Sequence, residues 1–168
     1  MSEKAVCFTG HRTLSGSRDA IEGQVHTLLK QKIQQGYHCF YAGGARGFDA
    51  LAAETVLKLK EERPDLTLVL VLPFAEPYSH ETGWTPEDIA EHQTIRARAD
   101  TVVLMRDTYR PGCYYQRNRY LVDHASLVIA YQNNSSGGTA YTTKYAKAQG
   151  LPVLNLPAED KKKQKKKH

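Results

Sequence analysis

The sequence predicts an α/β protein: a three-layer sandwich in which a mainly parallel sheet lies between two layers of helices. Three observations carry that expectation. Short, nearly continuous apolar runs recur along the chain, among them Lys4–Phe8, Leu66–Leu72 (LTLVLVL) and Ser126–Tyr131 (SLVIAY); such runs suit strands covered on both faces. Segments with helical periodicity alternate with them. Each change of type falls at a Gly, Pro, Ser or Asn cluster, and alternation of this kind builds parallel strands joined by helical crossovers.

The elements follow in order. Lys4–Phe8 is the first strand and ends in the turn Thr9-Gly10-His11-Arg12. Ser15 and Ser17 offer caps for a helix near 18–35, whose apolar face is Ile21, Val25, Leu28, Leu29 and Ile33 and which Gly36 stops. His38–Tyr41 is the second strand, followed by the glycine-rich loop 43–47 and a helix over about 48–62, with Asp49 placed to cap it and Pro64 ending it. Leu66–Leu72 is the third strand. The polar loop 75–85 carries Trp84, and Thr85-Pro86-Glu87-Asp88 opens a helix reaching about Ala99. Thr101–Met105 is a strand, and CYYQRNRYLVDH a helix after the Pro111-Gly112 turn. Ser126–Tyr131, a helix over about 139–149 and Val153–Leu156 complete the body.

The chain of 168 residues, 40% hydrophobic, is expected to form one domain over residues 1–158, followed by a disordered Lys-rich tail at 159–168. The tail misleads about charge. KKKQKKKH at 161–168 holds 6 of the 23 Lys and Arg residues; the remaining 17 against 18 Asp and Glu leave a body near −1. The tail is a solubilising end or a weak, non-specific contact for nucleic acid. No apolar run approaches the roughly 18 residues needed to span a bilayer, and residues 1–20 lack a signal-peptide core, so a cytoplasmic protein with no membrane partner is expected. Cys7 and Cys39 fall in strands and read as buried free thiols, whereas Cys113 falls in a polar loop.

Three loops rich in Gly and Thr, 9–12, 43–47 and 136–139, follow the ends of different strands. In a parallel sheet they share the carboxyl edge, where ligands of such folds bind. Backbone N–H groups of Gly43, Gly44, Gly47, Gly137 and Gly138, with the Thr139 hydroxyl, suit phosphate or ribose; the alternative is that these glycines only make tight turns. Arg12 and Arg46 read either as diphosphate clamps or as ion-pair partners of Asp49 or Glu54. His11 is a base-stacking or proton-donating group, or a structural hydrogen-bonder. Trp84 and Tyr78 stack a base, pack on the body or pack at a dimer interface. His80, Glu81 and His92 match no ligand spacing, so no metal is expected, and no motif calls for a cofactor.

The motifs resemble those of a known superfamily. Tyr41–Asp49 (YAGGARGFD) looks like the glycine-rich motif of the DNA-processing protein DprA, and Gly137-Gly138-Thr139 looks like the phosphate loop of LOG-type phosphoribohydrolases; both belong to the SLOG superfamily of Rossmann-like domains. The order Thr9–Arg12, GGARGFD with Ala52-Ala53-Glu54, Gly112-Cys113 with Arg117–Asp123, and Ser136–Thr139 is most similar to its YpsA-like bacterial branch. The resemblance implies a Rossmann-like fold, a nucleotide or ADP-ribose-like ligand held by Thr9, Gly10, His11, Arg12, Asp49 and the glycine loops, and a homodimer. It also raises Arg117, Asn118 and Asp123 as ribose or base contacts, with an Arg117–Asp123 ion pair as the alternative. LOG enzymes place a glutamate three residues after the loop threonine; Thr142 stands there, and a hydroxyl cannot serve as a carboxylate base. Binding or sensing of a nucleotide is therefore expected. The alternatives are an N-glycosidic hydrolase using Glu54 or Asp123, and a DprA-like binder of single-stranded DNA.

Overall fold

The computed structural model describes residues 4–132 and 137–156. Ser136, the expected domain end near 158 and the Lys-rich segment lie outside the described residues. Among those described are six strands: β1 (Ala5–Gly10), β2 (Cys39–Ala42), β3 (Thr67–Leu72), β4 (Thr101–Leu104), β5 (Leu127–Tyr131) and β6 (Val153–Asn155). Five helices alternate with them: α1 (Arg18–Gln34), α2 (Phe48–Glu62), α3 (Pro86–Arg98), α4 (Cys113–Asp123) and α5 (Gly138–Ala148). The predicted elements are all present, with one addition, a 3₁₀ turn at Pro77–Ser79. The strands pair in the order β4-β3-β2-β1-β5-β6, and every pairing is parallel. The sheet is thus wholly, rather than mainly, parallel.

Period-two alternation along the strands divides the core. Val6, Phe8, Phe40, Leu68 and Leu70 pack with residues of α1, α2 and α3, while Cys7, Cys39, Val69, Val71 and Val128 pack with Leu121, Val122 and Ala146 of α4 and α5. Central β5 is buried along its whole length, whereas edge strand β4 is largely exposed. Chain order runs outward from β1 through β2 and β3 to β4, then crosses to β5 on the other side of β1. The β1–β5 junction is therefore where strand order reverses, and a crevice opens there at the carboxyl edge.

Local chemistry sets the helix ends. The Ser17 hydroxyl accepts from the Ala20 N–H at the start of α1, and Thr85 and Asp88 form a reciprocal capping box at the start of α3. At α2 the expectation is corrected: Gly47 occupies the N-cap, and Asp49 sits in the first turn without capping it. Cys113 is corrected too; it is the first residue of α4 and is buried, as are Cys7 and Cys39. Among the described residues no helix is long and apolar enough to cross a membrane.

Candidate functional site

Two close approaches shape the carboxyl edge. Phe48, fully buried, stacks on Tyr131 at 5.6 Å and meets Phe8 edge-on at 6.4 Å. It lies directly under Gly10, where a Cβ would stand 2.5 Å from its ring. Gly47, at φ +81°, presses on the Arg12 backbone, where a Cβ would stand 2.3 Å from the carbonyl oxygen. The Phe48 N–H donates to His11 O at 3.1 Å, and Arg46 Nη1 donates to Arg12 O at 3.2 Å. The loops after β1 and β2 are thus packed against each other. The α2 N-terminus is covered by protein rather than open to a ligand.

Beside that junction lies a cavity of about 580 Å³. Phe8–Thr13 form one wall, Ala45 and Asp49 a second, the α4 residues Tyr114, Tyr115, Arg117, Asn118 and Leu121 a third, and Gly138 with Thr139 of α5 a fourth. Of the residues singled out from sequence, the structure gathers Thr9, Gly10, His11, Arg12, Asp49, Arg117, Asn118, Gly138 and Thr139 around this one space. Gly43, Gly44, Arg46, Gly47 and Gly137 stand behind or beside it and do not line it. Gly137 is the N-cap of α5 and provides no side chain to cap that helix, whose first turn faces the cavity.

The two carboxylates singled out for catalysis lie elsewhere. Glu54 follows Asp49 by five residues, about 140° further round the helix, so it points away from the face Asp49 presents. It pairs with Arg18 at 3.2 Å, and Arg18 also holds Glu91 at 2.6 Å. Asp123 ends α4, roughly 14 Å along the helix from Tyr114. There its Oδ1 accepts from the Tyr145 hydroxyl at 2.7 Å. An Arg117–Asp123 ion pair does not form; Arg117 lies instead with Asp49.

Asp49 and Arg117 are the buried charges of the cavity, 6% and 5% exposed. Arg117 donates Nε–H to Asn118 Oδ1 at 2.7 Å and Nη1–H to Gly43 O. Burial lowers its affinity for a proton, an effect that the nearby Asp49 charge opposes. Burial pushes the Asp49 pKa up to about 6, against the pull of Arg117, the Ala45 amide, Arg12 and the Gly43 amide. The glycine loop therefore directs its amides at a side chain of its own helix. Two buried polar atoms of the cavity residues, Asp49 Oδ1 and the Tyr114 hydroxyl oxygen, have no hydrogen-bond partner. Burial holds the Tyr114 pKa up at about 12, so it remains a hydroxyl donor at neutral pH. Buried polar groups are paired in most proteins; these two are shielded from solvent and belong to residues of the cavity wall.

Arg12 is the accessible cation. It pairs with Glu81 at 3.0 Å, its side chain 45% exposed, and lies 5.7 Å from the Tyr114 ring centre. Glu81 also accepts from Trp84 Nε1 at 2.6 Å, and Trp84 packs edge-on against Tyr78 and His92. Trp84 and Tyr78 thus pack on the body. His92 donates from Nδ1 to Gly44 O at 3.1 Å, tying α3 to the glycine loop. Sequence reasoning missed Tyr114 and Tyr115. The spacing 114, 117, 118, 121 was their signal, since it marks one face of a helix, but a face of Tyr, Arg, Asn and Leu carries no apolar signature.

Residues 15–152 match the model of the YspA SLOG family. Among relatives, a UPF0398 protein of Halalkalibacterium halodurans is 29% identical over 148 residues, covering 86% of this chain and 75% of its own. The UPF0398 protein YpsA of Bacillus subtilis is 24% identical over 147 residues, covering 83% and 80%. Of solved structures, DNA processing protein A from Helicobacter pylori, studied for its single-stranded DNA binding mode, has a TM-score of 0.69 at 19% identity over 95% of this chain and 67% of that one. DprA from Streptococcus pneumoniae has a TM-score of 0.67 at 16% identity; 94% of this chain spans about half, 52%, of that one. At such identities the likeness to the two solved structures is one of fold.

Proposed function

The chain belongs to the YspA SLOG family, and from that premise we propose that it binds a nucleotide or nucleotide-derived anion, ADP-ribose-like in character, in the cavity at the β1–β5 junction. The observation that carries the reading is the cavity's chemistry: the uncapped first turn of α5, the accessible Arg12 guanidinium and the polar side chains of Thr9, Asn118 and Thr139 border one space. Helix N-termini attract anions, and α5 begins at Gly138 with no side chain over its amides. In this reading Gly138, Thr139 and Arg12 hold phosphate, Thr9, Gly10 and Asn118 supply polar contacts to the sugar, and His11 and Tyr115 flank the base. Arg117 is buried and already donates to Gly43 O and Asn118 Oδ1, with the Asp49 charge nearby, so in this reading it acts as a buried counter-charge rather than a phosphate clamp.

Holding a ligand is favoured over cleaving one. Thr142 donates to Gly138 O at 2.8 Å and is committed to its own helix, and neither Glu54 nor Asp123 borders the cavity. The test is a thermal-shift and calorimetric panel of AMP, ADP, ADP-ribose and NAD, with chromatography for released base. A ligand at 100 times its Kd stabilises the fold by about 2.7 kcal/mol. Arg12→Ala is expected to weaken the response at least several-fold. Absence of a shift with all four compounds overturns the proposal.

A second reading, binding of single-stranded DNA, draws support from the fold shared with the Helicobacter pylori protein and from the basic run at 161–168. The near-neutral body weighs against it, since DNA binding relies on a basic stripe. Affinity for single-stranded DNA that survives deletion of 161–168 would place the contact on the folded body and favour this reading.

A further inference from the structure

We propose that Glu81 holds the anion position at Arg12 and yields it to the phosphate of a bound nucleotide, so that Glu81 sets the affinity of that position. The proposal rests on the nucleotide-binding reading above and adds to it an internal competitor for the ligand. Arg12 lines the cavity with its side chain 45% exposed, and its Nη2 lies 3.0 Å from Glu81 Oε2. Glu81 is more enclosed, its side chain 14% exposed, and is not among the cavity-lining residues. Its other oxygen, Oε1, accepts from Trp84 Nε1 at 2.6 Å. The Glu81 charge also acts on Tyr114 and Arg117 in the cavity wall, where it favours the protonated form of each.

A phosphate arriving at Arg12 meets that carboxylate, and two anions beside one guanidinium repel each other. Magnitudes favour exchange. An ion pair with one partner nearly half exposed adds little, whereas a phosphate carries more charge and accepts two parallel N–H bonds from a guanidinium. The contacts that fix Arg12 are made by its backbone, which Gly47 approaches and to whose carbonyl Arg46 donates; its side chain can change partner without disturbing them. Residues 81–84 run between two anchors. His80 stacks on Tyr109 at 3.5 Å before them, and Thr85 forms the capping box with Asp88 after them. Withdrawal of Glu81 thus moves a short segment and leaves α3 in place. It also takes the acceptor from Trp84, the one tryptophan of the chain.

The test is a titration of the full chain with ADP, followed by calorimetry and by the emission of Trp84. Calorimetry reports binding, and emission reports whether Glu81 leaves. Trp84 is not among the cavity-lining residues, so a red-shift that follows the calorimetric binding curve is the expected sign that its indole N–H has exchanged a carboxylate for water. Glu81→Gln keeps an oxygen for Trp84 and removes the competing charge. It is expected to bind ADP about fivefold more tightly than the wild type, the worth of an ion pair at the upper end for surface pairs. The sign of this change separates a competitor from a residue that merely positions Arg12, whose loss would weaken binding. Calorimetric binding of ADP with Trp84 emission unmoved overturns the proposal and leaves nucleotide binding intact. Unchanged or weaker affinity in Glu81→Gln does the same. If ADP does not bind at all, nucleotide binding and this proposal fall together.

Discussion

Replacement of Gly47 by alanine tests the packing that brings the two loops together. Gly47 has φ +81° and ψ −126°, a combination that L residues scarcely adopt. Holding alanine there costs about 1–3 kcal/mol. The new methyl would also stand 2.3, 2.5 and 2.7 Å from the O, C and Cα of Arg12. These are backbone atoms, and they cannot swing aside as a side-chain end can. Moving them pulls on the Phe48 N–H bond to His11 O and the Arg46 bond to Arg12 O, each contributing about 1 kcal/mol. The sum is a loss of roughly 3–5 kcal/mol, and at about 2–4 °C per kcal/mol a Tm lower by roughly 10 °C. Gly112 is a control for positive φ without a clash, its ψ of −2° lying in the ordinary left-handed region. It has φ +84° with nothing within 4 Å of an added Cβ, so Gly112→Ala carries strain alone, about 1–2 kcal/mol. Urea denaturation of both variants gives the loss at Gly47 beyond that of an unobstructed left-handed residue. Equal losses in the two, or a loss below about 1 kcal/mol in Gly47→Ala, would refute the packing argument.

Two further predictions concern the buried charge pair. Asp49 has a folded pKa raised from 3.8 to about 6, so the native state holds this proton over that window while the unfolded chain releases it. The associated stability is present below about pH 4 and is lost as pH rises through 6, by about 3 kcal/mol; Asp49→Asn is expected to flatten this part of the stability–pH curve, and a curve of unchanged slope would count against a buried, proton-holding carboxylate. Arg117→Met leaves Gly43 O and Asn118 Oδ1 without their donor and Asp49 without its counter-charge; a loss of about 3–5 kcal/mol is expected at pH 7, shrinking at pH 4.5 where Asp49 is neutral, and equal losses at the two pH values would show that the charge pairing is not what Arg117 contributes.

The SLOG likeness was legible because it resides in contiguous motifs. GGARGFD and Thr9–Arg12 each read as a turn at a strand end, and the parallel sheet does bring those ends to one edge. What the motifs could not convey is which atoms face the cavity. Gly43 and Gly47, the most evident phosphate contacts in sequence, stand behind the cavity. The amides of Gly43 and Ala45 act on Asp49, and Gly47 permits the approach of Arg12. Glu54 could be placed on α2 from its spacing, yet its orientation toward Arg18 and Glu91 depends on where α1 and α3 dock.

By itself the sequence determined the kind and order of the elements, because strands and helices declare themselves through the period of neighbouring apolar residues and through caps such as Ser17 and Thr85. It also determined that loops after several strands would meet at one edge, a consequence of parallel pairing. Tertiary structure alone decided that β5 joins β1 and so puts the crevice between them, that Cys113 is buried, and that Asp49 and Arg117, 68 positions apart in the chain, are buried in the wall of one cavity. Burial and charge pairing depend on distances across the fold. The sequence records only the distances along the chain.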